Sequence, residues 1–371
     1  MKRIGISFIV CLCVLAAIEW SLRTHLFRHA SYSNSQSIDE QLSQRNASST
    51  WRILFIGDSE VRWAIHPADI DERFLQQGIR TSSFNHAFDG FGASWWPLLL
   101  PRLLAHPSLQ QVKVVALGIQ LIDLHQTITP EAASCGALQK PVLTSAFAVD
   151  LGVNQLCAQE PWDTRLGQRL FSTLWTVRYA PAVRSLLLPK AMLPSARLGF
   201  NSRKSGPSIN GFEPHASIGT DHNEYDREFQ RWEAQYHPVT DFTPLPAGRW
   251  RTLVQPGGFF DGLLAVVRES GRELVLFASP TNPVVIDTFK RRMDYGENSA
   301  ALGRWARAHN VLFIDLGIQD VSDSDRYFSD MRHLSEAGAH TFSRALGEAL
   351  VDQLPGSTLR SLGKQPLASR S

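Results

Sequence analysis

The sequence has little excess charge, few cysteines, no glycine-rich phosphate loop and no internal repeat. Lys and Arg total 37 and Asp and Glu total 35, so the formal net charge is +2. A balance this close to neutral argues against a nucleic-acid-binding protein. The missing glycine-rich loop removes the usual sequence sign of a phosphate-binding turn.

Four cysteines occur in 371 residues, and two of them, Cys11 and Cys13, lie in an apolar run at the N-terminus. The other two, Cys135 and Cys157, could form one disulfide if the domain is exported. Two buried free thiols are the equally good alternative. The sequence leaves both possibilities open.

Close metal-ligand spacing is also missing from the sequence. Three histidines, His215, His222 and His237, fall in the middle of the chain, but no ligands lie at short, regular spacing around them. We interpret them as surface histidines. The sequence therefore predicts no metal site and no cofactor.

The N-terminal apolar run is typical of a signal anchor. Residues 4–18 read IGISFIVCLCVLAAI and follow Lys2 and Arg3, which predicts an anchor over about 1–25 with its start in the cytoplasm. The best small-x-small cleavage site is poor, and no lipobox fits, which favours an uncleaved anchor. The alternative is a buried N-terminal helix.

The polar segment that follows has no core pattern. Residues 26–50 are predicted to be a linker, since residues 31–50 are polar and rich in Ser and Gln. The main domain is predicted over 51–354, and the Ser/Lys/Arg-bearing tail, 355–371, is predicted to be disordered.

Five apolar runs in the main domain predict strands at about 53–56, 81–87, 112–117, 273–278 and 311–315. Helical patterns lie between them, at about 67–77, 95–105, 285–308 with a break at Gly296, and 335–354. This alternation predicts an α/β fold: a three-layer, doubly wound sheet of about five parallel strands, covered on both faces.

The alternation stops over about 126–268, which we interpret as a large insertion and a candidate binding surface. Its aromatic residues would either stack on sugar rings or build the core of the insertion, and we favour the core. They are Trp162, Trp175, Tyr179, Trp232, Tyr236 and Trp250.

The first strand ends at Gly57-Asp58-Ser59. Gly57 allows a tight turn, and Ser59 follows at the sheet edge where parallel α/β proteins bind ligands. A serine held at a strand-to-helix turn is a candidate nucleophile. The alternative is that these three residues form an ordinary turn.

A second polar pair follows the last strand. Asp330 and His333 stand just before the terminal helix, at the same sheet edge as Ser59. Together they fill the roles of a catalytic triad: Ser59 attacks, His333 removes its proton, and Asp330 orients the imidazole. Taken alone, an Asp-x-x-His pair is commonly a helix-entry cap beside a surface histidine.

An acyl-transfer site also needs donors to the oxygen on which negative charge develops. The Ser59 N–H, the Gly90 N–H and the side-chain amide of Gln120 are the predicted oxyanion-hole donors. The alternatives are that Gly90 is a turn glycine and that Gln120 caps the end of its strand.

At these residues the sequence resembles the SGNH (GDSL-type) hydrolase superfamily. Gly57-Asp58-Ser59 matches the first block of that superfamily, and Gly90 matches the second. The last block is matched by Asp330-x-x-His333-Leu334 with Gly338. The third block departs from the pattern, because Gln120 stands where the superfamily usually has Asn.

A subgroup resembles the chain more closely through its anchor, its Gly-Asp-Ser-x-x-Arg block and its His-Leu-Ser-x-x-Gly ending. This subgroup contains membrane-anchored proteins of cell-surface polymer modification, such as those of alginate O-acetylation and D-alanyl transfer. The resemblance implies an extracytoplasmic O-acetyltransferase or esterase that acts on a polysaccharide beside a membrane-bound O-acyltransferase. The competing hypothesis is a non-catalytic subunit that binds polysaccharide or docks on such an acyltransferase.

Overall fold

The computed structural model describes residues 13–18, 20, 42, 50–88, 96–121, 162, 230, 253–288, 292–317, 327–330 and 332–363. The chain divides into two compact units, one formed by 1–47 with 133–207 and the other by 48–132 with 208–371. Every strand and helix named below belongs to the second unit.

Five strands form one sheet, and every neighbouring pair is parallel. In space the strands are ordered β2-β1-β3-β4-β5. This confirms the prediction of an α/β fold with five parallel strands. The bounds are β1 Ile53–Ile56, β2 Ser83–Asn85, β3 Val114–Ile119, β4 Glu273–Ala278 and β5 Leu312–Ile314.

Helices connect the strands, as parallel pairing requires. Between β1 and β3 they are α1 Ser59–Ala64, α2 Pro67–Gln76 and α3 Trp96–Ala105. Before and after β4 they are α4 Phe259–Glu269, α5 Pro283–Thr288 and α6 Arg292–Ala308. After β5 they are α7 Glu336–Gln353 and α8 Gly356–Gly363.

Both faces of the sheet are apolar and buried. On one face, Phe55, Ala116 and Phe277 belong to a core cluster that also includes residues of α1, α2, α7 and α8. The alternate strand residues, such as Leu54 and Leu117, are equally buried, and α4 packs against β4 and α3. Burial on both faces explains why the strands are continuous apolar runs rather than alternating ones.

Two helical expectations need correction. Gly296 does not break a helix, since it lies inside α6. The tail was predicted to be disordered from Pro355, which is wrong for 356–363: these residues form α8, in which Thr358 and Leu362 are buried. Its amphipathic spacing allows Leu362 to join the core cluster, and the Thr358 hydroxyl donates to the Glu273 carboxylate at 2.6 Å.

The predicted C-terminal boundary of the insertion, at about residue 268, is also wrong. Its final residues include most of α4, which belongs to the regular fold and buries Phe260, Leu263 and Val267. Their i, i+3, i+7 spacing was a readable helical signal. Most of the insertion lies outside the described residues, as do Cys135, Cys157, His215, His222 and His237.

The predicted anchor is described at residues 13–18 and at Trp20, all helical and exposed. Within the described part of the chain, no helix has the length and apolar character needed to cross a membrane. Apart from Leu42 and Thr50, the predicted linker lies outside that part.

Gly118, in β3, allows a close approach between the sheet and α1. A Cβ atom at this position would lie 2.2 Å from Val61 Cγ2 and 2.8 Å from Phe277 Cζ. We expect Gly118→Ala to lower the free energy of unfolding by about 3 kcal/mol, because overpacking of a tight core costs that much. Denaturant unfolding of the full-length protein, followed by circular dichroism, measures the change.

The matched control is Gly262→Ala, in the middle of α4, where a Cβ atom would meet nothing within 4 Å. That change should be neutral or stabilise the protein by up to about 1 kcal/mol, since Ala is the better helix former. Equal effects of the two substitutions would contradict the packing described for Gly118.

Candidate active site

Ser59 lies at the point where β1 passes into α1. It is the first residue of α1, and Asp58 is the N-cap. The Asp58 carboxylate accepts hydrogen bonds from the N–H groups of Glu60 at 2.9 Å and Val61 at 3.4 Å. A Cβ atom at Gly57 would lie 2.3 Å from Val61 Cγ2, so the absence of a side chain there allows the tight turn.

The loop before α7 carries Asp330 and His333, and it is closed by short-range contacts. Phe328 and Leu334 form an antiparallel bridge. The Ser329 N–H donates to the His333 carbonyl at 2.8 Å, and the Ser335 N–H donates to the Tyr327 carbonyl at 2.9 Å. The loop is therefore held from both ends.

The structure brings the three predicted triad residues together. His333 Nε2 lies 2.9 Å from Ser59 Oγ, and His333 Nδ1 lies 2.8 Å from Asp330 Oδ2. The two segments are 274 residues apart in the chain. A hydroxyl, an imidazole and a carboxylate in this order form the hydrogen-bond chain that activates a serine nucleophile.

Asp330 is held in its ionised form. Its Oδ1 atom accepts hydrogen bonds from the N–H groups of Arg332 at 2.7 Å and His333 at 2.8 Å. Burial by itself raises the pKa of Asp330, but the hydrogen bond and charge of His333, with these two N–H groups, outweigh it and lower the pKa to about 2. Oδ2 is left to orient the imidazole.

Gly338, in the first turn of α7, has a steric role. A Cβ atom there would lie 2.1 Å from the Tyr327 carbonyl oxygen, the same oxygen that accepts the Ser335 N–H. The Ser335 hydroxyl in turn accepts the Gly338 N–H at 3.2 Å. The His-Leu-Ser-x-x-Gly pattern therefore joins the loop that carries His333 to the start of its helix.

An ion pair beside the triad was not predicted from the sequence. Arg332 Nε lies 3.4 Å from the buried carboxylate of Glu60, which links the His333 loop to α1. Burial raises the pKa of Asp58, and the positive charge of Arg332 acts in the opposite direction. A charge pair between positions 60 and 332 leaves no spacing signal in the sequence.

Asn85, at the end of β2, is a further residue that the sequence analysis missed. It is buried, and its amide nitrogen donates to the carbonyls of Arg62 and Ile65, each at 3.0 Å. Its amide oxygen accepts the Ala87 N–H at 3.2 Å. Asn85 thereby fixes the far end of α1, the helix that begins at Ser59.

Of the three predicted oxyanion-hole donors, the structure describes Ser59 and Gln120. Gln120 directly follows β3 and is half-buried. Gly90 lies outside the described residues. Two residues before it, the Phe88 N–H donates to the Gly57 carbonyl at 3.0 Å. Ser59, as the first residue of α1, has an N–H without a partner inside its own helix.

The sheet order places these residues at a favourable position for a ligand. After β1 the chain forms β2 on one side, and β3 then pairs with β1 on the other. Doubly wound sheets bind ligands outside the carboxyl ends of the strands, at the point where the strand order reverses. Ser59 follows β1 and Gln120 follows β3, so both flank that point.

Comparison with family models finds no match to this chain, and comparison with curated proteins finds no significant relative.

Proposed function

We propose that the chain is a serine-dependent acyl-ester enzyme, an O-acetyltransferase or an esterase, in which Ser59, His333 and Asp330 are catalytic. The observation that carries the proposal is the unbroken hydrogen-bond chain from Ser59 Oγ through His333 to Asp330, with contacts of 2.9 Å and 2.8 Å. This arrangement lets the imidazole take the hydroxyl proton while the carboxylate holds the imidazole in place.

The first half of the proposed reaction forms an acyl-enzyme. Ser59 Oγ attacks the acyl carbon while its proton moves to His333 Nε2. The ester bond of the donor then breaks, and the leaving alcohol takes that proton from the imidazolium. Asp330, ionised and bonded to Nδ1, stabilises the imidazolium charge in between.

The second half determines whether the enzyme is a hydrolase or a transferase. Water or a sugar hydroxyl gives its proton to His333 and attacks the acyl-Ser59 ester. The Ser59–acyl bond breaks, and Ser59 Oγ regains the proton. Water gives a free acid, whereas a sugar hydroxyl gives an O-acylated polysaccharide.

The developing oxyanion is proposed to accept hydrogen bonds from the N–H groups of Ser59 and Gly90 and from the amide of Gln120. We expect Gln120→Ala to lower kcat by roughly 10²–10³-fold, the usual cost of one lost donor. KM and the thermal midpoint should change little, because the side chain is half-buried at a strand end. Steady-state kinetics with an activated acetyl ester measures this effect.

Gln120→Asn is the companion variant. Its amide stands on a stem one methylene shorter, so we expect it to restore only part of the activity. An unchanged kcat in Gln120→Ala would mean that only the backbone N–H groups of Ser59 and Gly90 stabilise the oxyanion. Lower stability with unchanged kcat would make Gln120 a structural cap.

The proposed substrate and family rest on the resemblance described above. We propose a three-layer SGNH hydrolase-like domain that acts on a cell-surface or secreted polysaccharide, with a membrane-bound O-acyltransferase as partner. The close approach at Gly57 and Gly338 supports this assignment, because at both of these matched glycines a Cβ atom would collide with its surroundings.

We further propose that the chain is anchored by its N-terminus in the cell membrane, with the catalytic domain outside the cytoplasm. The support is the apolar run after Lys2 and Arg3. A reporter enzyme that works only outside the cytoplasm should be active when it is fused after Thr50. Activity of a cytoplasmic reporter at the same position would rule out this topology.

Mass spectrometry of the purified full-length protein tests the function. Incubation with an activated acetyl ester should give one acetyl group on Ser59. Added polysaccharide should remove that group and become O-acetylated if the enzyme is a transferase, whereas an esterase loses it to water alone. A protein that neither carries the acetyl group nor speeds release of the alcohol from the ester would instead match the non-catalytic subunit.

A further inference from the structure

Three side chains that take no part in the triad meet where α2 packs against α7. His66 precedes α2, Asp69 lies in the first turn of α2, and His340 lies on α7. Asp69 Oδ2 is 3.3 Å from His66 Nδ1 and 2.6 Å from His340 Nδ1. All three potential ligand atoms lie within 4.8 Å of one another.

We propose that His66, Asp69 and His340 bind one divalent transition-metal cation, with Zn²⁺ as the reference ion. Two imidazoles and one carboxylate are a common ligand set for zinc. Metal–ligand bonds of about 2.0–2.1 Å place tetrahedral ligand atoms about 3.3 Å apart. The distance from His66 Nδ1 to Asp69 Oδ2 is 3.3 Å and already has this value. The distance from His340 Nδ1 to the same oxygen is 2.6 Å, so an outward shift of His340 by less than about 1 Å would give the same spacing.

The orientation of Asp69 fits this role. Its side chain is 8% exposed, and its two oxygens face different partners. Oδ1 faces Arg344, whose Nε lies 4.0 Å away, whereas Oδ2 faces both imidazoles. One buried carboxylate oxygen is therefore close to two imidazole Nδ1 atoms, and the guanidinium near the other oxygen is a partner of the kind that orients a metal-binding carboxylate.

His66 is also fixed in position through its backbone. Its N–H donates to the Ser343 hydroxyl at 2.7 Å, and that hydroxyl donates to the Ala64 carbonyl at 3.0 Å. Ser343 is fully buried on α7, so His66 is held against the helix that carries His340. The two imidazole rings have their centroids 4.3 Å apart. Metal sites need this kind of prior arrangement of their ligands.

The remaining coordination position would face solvent. The side chains of His66 and His340 are 20% and 33% exposed, so an ion can reach them and water can complete its coordination. The bound ion would join α2 to α7, the helix that begins directly after the His333 loop. Its binding free energy would therefore add to the stability of the fold.

The test uses the full-length protein in detergent, treated with a chelator and then freed of it. Co²⁺ is added while its visible absorption is recorded, Zn²⁺ is used as competitor, and the thermal midpoint is measured with and without Zn²⁺. We expect about one Co²⁺ per chain in the strong-absorbing tetrahedral form, displacement by Zn²⁺, and a higher thermal midpoint in Zn²⁺.

His340→Gln should weaken Co²⁺ binding by more than roughly 100-fold, since loss of an outer partner of a ligand already costs about 10–100-fold. The matched control is His309→Gln, because His309 also lies 3.4 Å from a carboxylate, that of Asp261. It should bind Co²⁺ as the wild type does. His333→Gln, in the triad, should also keep the site.

Equal Co²⁺ binding by the wild type and His340→Gln would overturn the proposal, because the ion would then lie elsewhere. The proposal would also be overturned if Zn²⁺ does not bind and does not raise the thermal midpoint. The three side chains would then be only a hydrogen-bonded His–Asp–His cluster. If His340→Gln does not fold, His66→Gln is held to the same expectation.

Discussion

Replacing Ser59 by Ala is expected to lower ester turnover by roughly four to six orders of magnitude, the scale of loss when a triad nucleophile is removed. Ser59 Oγ is the atom that His333 Nε2 contacts at 2.9 Å, and Ala offers no atom to attack the acyl carbon. Single-turnover release of the alcohol from an activated acetyl ester measures the loss.

The double variant shows whether Ser59 and His333 act as one unit. His333→Ala should cost about as much as Ser59→Ala, and combining them should be little worse, because triad members are not additive. His309→Ala is the matched control: His309 precedes β5, at the opposite end of the strand from the site, and its loss should leave turnover unchanged. Losses that multiply in the double variant would argue against a shared mechanism.

Asp330→Asn is expected to lower kcat by about 10⁴-fold, the loss known for this change in a serine protease triad. An amide at this position leaves the imidazole in the wrong tautomer and removes the charge that stabilises the imidazolium. The same kinetic assay measures kcat, and circular dichroism checks that the fold is kept.

The lowered pKa of Asp330 sets the sign of its pH dependence. With a folded pKa of about 2 against 3.8, the carboxylate contributes stability above about pH 4 and loses it as pH falls toward 2. The wild-type protein should therefore lose that contribution in acid, whereas Asp330→Asn should show no matching loss. For catalysis, a wild-type kcat in Asp330→Asn would contradict the role given to Asp330.

The strands could be predicted because both faces of the sheet are buried. Runs such as Ile53–Ile56 and Glu273–Ala278 are apolar almost throughout, and no amphipathic helix gives that pattern. The second strand, Ser83–Asn85, is shorter than the predicted 81–87, and the side chain of its last residue, Asn85, bonds the end of α1. Side-chain partners of this kind are invisible in a linear pattern.

The misses have physical causes as well. α4 was hidden inside a long irregular segment, although Phe260, Leu263 and Val267 mark its buried face. α8 is short, and its burial depends on the core cluster that Leu362 joins. Gly296 is a weak helix former, but α6 continues through it.

The meeting of Ser59 with His333 could be anticipated because parallel strands bring their carboxyl ends to one edge of the sheet. β1 and β5 are not neighbours in that sheet, so the contact also needs α7 to pack against α1 and α2. The Glu60–Arg332 ion pair and the meeting of Asp69 with His340 depend only on such helix packing, which leaves no signal at a strand end. Those contacts span about 270 residues of sequence.

Covalent labelling by a fluorophosphonate tests the central claim most directly, because the reagent reacts with a serine only when a base activates it. The full-length protein should gain one phosphonyl group, and peptide mass spectrometry should locate it on Ser59. His333→Ala should label far more slowly although Ser59 is still present, and His309→Ala should label like the wild type. Absence of labelling in the folded wild-type protein, or equal labelling of His333→Ala, would contradict a catalytic Ser59–His333–Asp330 triad.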